Sequence, residues 1–215
     1  MTENLSAVRF FGPDNLMGLG PAARSAVVVA HRSTVAQHGE DPCARRQAAA
    51  HEAGHVVVAW ALGETILGAR ITHTQVAAGR TVWLGRNSRS GAPTEAFTVA
   101  CQPDEAFRAA AVNLAGFAGE TQAKLSHPAS SLDERLKAQI LCEALDDHRC
   151  EPLGTHACAL DAFVFDVLAK NRLPFDSIRG HLAARRFLTA RDAARMLAGG
   201  HRAELCRQIH RLGQK

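Results

Sequence analysis

Asp41-Pro42 opens the first helical pattern of the chain, a capping carboxylate followed by a residue whose missing N–H costs nothing in a first turn. The spacing predicts a helix from there to about Leu62, through the apolar run Val56–Leu62, ended by Gly63. Then the period changes. Residues 69–74 and 80–84 are rich in β-formers and flank a turn at Ala77–Gly79, which predicts a hairpin. Gly85–Pro93 is dominated by Gly, Ser, Asn and Arg and is expected to be a mobile loop; Thr94–Cys101 fits a third strand. Beyond Pro103, Phe107, Ala111, Leu114, Ala118, Thr121 and Leu125 return to helical spacing. Further helices are predicted over Leu132–Asp146, His156–Lys170, Pro174–Arg186, Ala190–Ala198 and His201–Leu212. Ser131-x-x-Glu134 and Thr189-x-x-Asp192 read as capping boxes. The fold expected is mainly α with a small β-hairpin or sheet (α+β), one domain over residues 41–215. Residues 1–40, broken by Gly12-Pro13, Gly18, Gly20 and Pro21, form an irregular N-terminal extension.

Composition narrows the class. With 47% apolar and 21% charged residues over 215 positions, the chain is not a disordered one. No apolar run approaches the ~18 residues of a membrane span. The net charge of +4 comes from scattered arginines and gives no reason to expect a nucleic-acid partner. Leu188–Arg211 carries five arginines, but no turn spacing in it supports a DNA-reading helix pair. Six cysteines lack a C-x-x-C pair, and Met1-Thr-Glu-Asn has neither the basic nor the apolar region of a secretory leader. The expectation is reduced thiols in a cytoplasm.

One motif carries chemistry. His51-Glu52-Ala53-Gly54-His55 is an H-E-x-x-H sequence within the first predicted helix. Residues four apart share one helical face, so both imidazoles can meet one metal ion, and Glu52 can reach a water on it. Chance produces the pattern in roughly 3% of such chains. A hydrolytic zinc site needs a third protein ligand and an open position. The metzincin histidine fails, because position 61 is Ala. Glu120 is a downstream carboxylate on a helix; Asp133 is the better candidate, in the first turn of a new helix and left free if Glu134 serves the cap.

The residues Ala49–Trp60 around this motif resemble the zinc helix of the FtsH-type metallopeptidase domain. Leu114-Ala115-Gly116-Phe117-Ala118-Gly119-Glu120 is similar to that family's Gly-Arg-Ala-Ala-Glu helix. Ser130-Ser131-Leu132-Asp133 falls where the family has its Ser-Asn-Asp segment. The resemblance covers about residues 42–198 and implies an FtsH peptidase-like helical domain, Zn2+ held by His51, His55 and Asp133, and Glu52 as the catalytic base. Lys137 stands where the family has Ala, and Gly119-Glu120-Thr121 replaces Ala-Glu-Glu, so Glu134 and Glu120 remain alternatives for the third ligand. No G-x-x-x-x-G-K-[ST] phosphate loop and no transmembrane segment is found.

The function expected is therefore ATP-independent hydrolysis of peptide bonds in flexible or unfolded polypeptides, with an external ATPase or adaptor and a homo-oligomer as further expected partners. A non-catalytic binding or regulatory module of the same fold is the alternative. Lesser candidates are His127 as an oxyanion donor, since the chain has no Tyr, and Thr81–Leu84 as a strand edge able to pair with a peptide. His73, Trp60 and Trp83 read as ordinary strand and core residues.

Overall fold

A computed structural model describes residues 42–75, 81–90, 103–126 and 131–203. The described elements are α1 (Pro42–Ala61), β1 (Thr65–Gln75), β2 (Thr81–Ser90), α2 (Pro103–Gln122), α3 (Leu132–His148), α4 (Thr155–Lys170), α5 (Arg172–Arg185), β3 (Phe187–Thr189) and α6 (Ala190–Leu197). This is the mainly helical α+β architecture expected. Among the described residues, no helix is long and apolar enough to cross a membrane. The N-terminal extension, the proposed strand at Thr94–Cys101 and His127 lie outside the described residues. So does most of the helix expected at His201–Leu212, whose described part, 201–203, is not helical.

The first helix is the centre of the molecule. Ala49, Ala50, Ala53 and Val56–Ala59 are all buried, so α1 has no wide polar face, as befits a helix enclosed by its neighbours. It packs against α2, α4, α5 and both long strands. Its C-terminus closes as a Schellman turn: Gly63 has φ 97, its N–H reaches the Trp60 carbonyl, and that of Glu64 reaches Ala59. The approach of α2 is closer than side chains allow. A Cβ added at Gly54 would lie 2.1 Å from the Ala115 carbonyl oxygen, and one at Gly119 would lie 2.4 Å from that of Ala50. The two glycines let backbone meet backbone.

The sheet has the order β2-β1-β3, all antiparallel. The hairpin forms as expected, but Gly85–Ser90 is strand rather than loop, paired from Ile71↔Gly85 to Thr65↔Ser90. Local composition is overridden by what the strand pairs with: β1 supplies the ladder, and Arg89 reaches the buried Glu64 at 3.2 Å. Burial pushes the Glu64 carboxyl up, and Arg89 opposes that shift. The third strand comes from Phe187–Thr189, directly after α5. Arg186, at φ 68, turns the chain there, and its carbonyl accepts from the Ile71 N–H.

Trp60 and Trp83 are half-buried against the core. Trp83 stacks on His73 with ring centroids 4.9 Å apart, and the guanidinium groups of Arg45 and Arg186 lie over its ring. The expected cap at Thr189 is present, its hydroxyl accepting from the Asp192 N–H at 3.1 Å.

Candidate metal centre

His51 and His55 project from one face of α1, with Nε2 atoms 2.9 Å apart. Each ring is held from behind. His51 Nδ1 lies 2.8 Å from Glu120 Oε1, and His55 Nδ1 lies 2.8 Å from the Val112 carbonyl oxygen. A carbonyl or an ionised carboxylate can only accept, so both Nδ1 atoms carry a proton and the two Nε2 atoms face each other. A proton or a cation between the two Nε2 atoms, 2.9 Å apart, satisfies that arrangement. Gly116 makes room for the His51 ring: a Cβ there would lie 2.3 Å from His51 Cε1.

Glu134 completes the set. Its Oε2 is 3.2 Å from His51 Nε2 and its Oε1 is 3.3 Å from His55 Nε2. Asp133, the expected third ligand, makes no hydrogen bond or ion pair to either histidine among the described residues, and the carboxylate that faces them is its neighbour's. The reason is the cap. Ser131 stands at φ 54 and gives α3 no side-chain cap. Its hydroxyl donates instead to Glu120 Oε1 at 2.9 Å, and lies 3.0 Å from His51 Nδ1. The expected capping box does not form, and Glu134 is released toward the histidines. Glu120 stands behind His51, at its Nδ1, with its second oxygen accepting from Gln47 Nε2 at 2.8 Å.

The electrostatics follow from this geometry. Burial disfavours charge on His51, but the Glu134 carboxylate and hydrogen bonds to Glu120 and Glu134 outweigh it, holding His51 well above the ordinary imidazole range. Burial likewise opposes charge on Glu134, yet His51 and His55 hold its carboxyl well below the ordinary carboxylate range. The cluster is built for a negative carboxylate facing a positive centre.

The donor set fits a divalent metal. Atoms about 2.0–2.1 Å from a tetrahedral zinc lie roughly 3.3 Å from one another; here the two Nε2 atoms are 2.9 Å apart and each faces one Glu134 oxygen, at 3.2 and 3.3 Å. Glu134 Oε2 is buried facing His51 Nε2, while Oε1 faces His55 Nε2. Glu52 is buried beside this point, with one carboxylate oxygen within 4.8 Å of ligand nitrogens of His51 and His55.

A second group of metal-ligand type, Asp146, Glu151 and His156, was not legible in the sequence. Both oxygens of its Asp146 are taken up by hydrogen bonds. Asp146 Oδ2 accepts from the Gly154 N–H at 2.6 Å, and Oδ1 accepts from the His156 N–H at 2.9 Å and its ring Nδ1 at 2.6 Å. Asp146 thereby caps α4 from the end of α3, in place of a side-chain cap at Gly154.

Fold and site together define an α+β protein with a candidate His-Glu metal centre on its central helix. No protein-family model and no curated protein matches the chain.

Proposed function

We propose that this protein is an ATP-independent zinc metallopeptidase, similar to the FtsH-type peptidase domain, that hydrolyses peptide bonds in flexible or unfolded polypeptides. The observation that carries the reading is the approach of the Glu134 carboxylate to both His51 Nε2 and His55 Nε2, one oxygen to each, with Glu52 beside the two rings. Two imidazoles and a carboxylate are a donor set zinc favours, and three protein ligands leave a position open. A zinc ion held there supplies Lewis acidity and a water of lowered pKa. Glu52 takes the proton of the attacking water and passes it to the leaving amine. Glu120 and the Val112 carbonyl fix the tautomer and orientation of the two rings.

Substrate choice follows from the sheet. Among the described residues β2 is an edge strand, and pairing along an edge requires several consecutive free backbone groups in the partner. Folded proteins rarely offer these, because more than ~90% of their buried backbone groups are already paired. A separate ATPase or adaptor is the device by which compact substrates would be presented.

The test is incubation with β-casein and with a tightly folded globular protein, without nucleotide. Cleavage of casein alone, abolished by Glu52→Gln, is the expected result. Equal digestion of the folded protein refutes the selectivity. Zinc retained with no turnover of either substrate points to a non-catalytic binding module.

A further inference from the structure

Two residues of β2, Gly85 and Asn87, meet Glu52. The register sets both on the inner face of the sheet, opposite the buried Ile71 and Ala69. Asn87 Nδ2 donates to Glu52 Oε2 at 3.0 Å. Gly85 supplies the space: a Cβ there would lie 2.0 Å from Glu52 Oε1 and 2.4 Å from both Cδ and Cγ. An ionised carboxylate accepts only, so the NH2 end of the Asn87 amide is the end that faces it. Helix and strand thus grip one side chain from two sides.

We infer that Asn87 is a positioning residue for Glu52, fixing its carboxylate against the strand in the space Gly85 leaves open. The inference rests on the peptidase reading for its kinetic consequence, but its geometric content stands apart from that reading. A carboxylate buried at the end of a flexible side chain has several rotamers, and a base held in one of them loses nothing to misalignment during proton transfer. Asn87 touches neither His51, His55 nor Glu134 among the described hydrogen bonds, so it acts through Glu52 alone. The link also joins the base to the strand whose free edge is available to a peptide.

The experiment compares wild type with Asn87→Ala, Asn87→Asp and, as a control on the opposite face of the same strand, Ser88→Ala. In zinc-loaded protein, Asn87→Ala should lower kcat by about 10–100-fold, the range typical of supporting partners, with KM, zinc content and thermal midpoint held. Asn87→Asp should be slower still, because it sets like charges together. Ser88→Ala should match wild type. A loss confined to KM or to thermal stability, or Asn87→Asp as active as wild type, overturns the inference. If wild type binds zinc without turnover, the peptidase reading fails and a second measurement decides. The side-chain amide signals of Asn87 in 1H–15N spectra should move on Glu52→Ala and stay put on Asp133→Asn. Signals unmoved by Glu52→Ala overturn it.

Discussion

The backbone contact between α1 and α2 makes one substitution behave oppositely at two glycines. Gly54→Ala places a Cβ 2.1 Å from the Ala115 carbonyl oxygen, about 1 Å inside contact distance, with Gly119 Cα only 3.2 Å away. Neither neighbour is a movable side-chain tip, so the helices must part. Overpacking of this kind costs about 1–3 kcal/mol, and a backbone obstacle belongs at the upper end. Against it stands about 1 kcal/mol of helix propensity gained by Ala over Gly. The net is a destabilisation of about 2 kcal/mol, or a fall in Tm of roughly 4–8 °C for a chain of this size. Gly180 lies exposed within α5, and a Cβ there meets nothing within 4 Å. Gly180→Ala therefore keeps the propensity gain alone and should raise Tm by roughly 2–4 °C. Thermal melts followed by far-UV circular dichroism measure both. A Gly54→Ala protein as stable as wild type, or a Gly180→Ala protein equally destabilised, would refute the close-contact argument. Zinc retention should fall in Gly54→Ala as well, because α2 carries Glu120 and Val112 behind the two histidines.

The remaining predictions concern the site and one buried acid. Purified protein should hold about one zinc per chain, lost in His51→Ala and His55→Ala by elemental analysis. Glu134→Gln should weaken retention far more than Asp133→Asn, with Glu120→Gln between them at about 10–100-fold; the reverse order would move the ligand back to Asp133. Burial pushes the Asp161 carboxyl up to about 6, and its Oδ1 has no hydrogen-bond partner. Because the folded form binds that proton more tightly than the unfolded one, wild-type stability should fall as pH rises from about 4 to 6. Asp161→Asn should remove this loss, gaining on the order of 1–2 kcal/mol above pH 6 after discounting for partial exposure, and nothing below about pH 4. A gain independent of pH would exclude the carboxylate as its source.

The helices and the H-E-x-x-H pair were legible because their signals are local: Asp41-Pro42, Gly63 and the four-residue spacing of His51 and His55 all act within one or two turns. The extent of β2 was not, since Gly85–Ser90 is polar and Gly-containing and becomes strand only through pairing with β1. That Glu134 and not Asp133 faces the two histidines was not legible for a related reason. Ser131-x-x-Glu134 matches a capping box, but a tertiary acceptor, Glu120, claims the Ser131 hydroxyl and reverses the assignment of Asp133 and Glu134. Asn87 and the Asp146 cap carry no local signal, because their partners lie on other elements.

The segments that furnish the centre are far apart along the chain: His51 and His55 adjoin each other on α1, whereas Glu134 arrives from α3. An unfolded chain retains the histidine pair at most, and closing the long loop to Glu134 is done by the fold. Ion binding at this candidate centre would thereby be coupled to the folding equilibrium, since the complete donor set exists only in the native state. A divalent ion present at a hundredfold its dissociation constant adds about 2.7 kcal/mol to the unfolding free energy. The apparent melting temperature would then become a function of free metal concentration, and chelation alone, with no change in sequence, would lower the protein's resistance to unfolding.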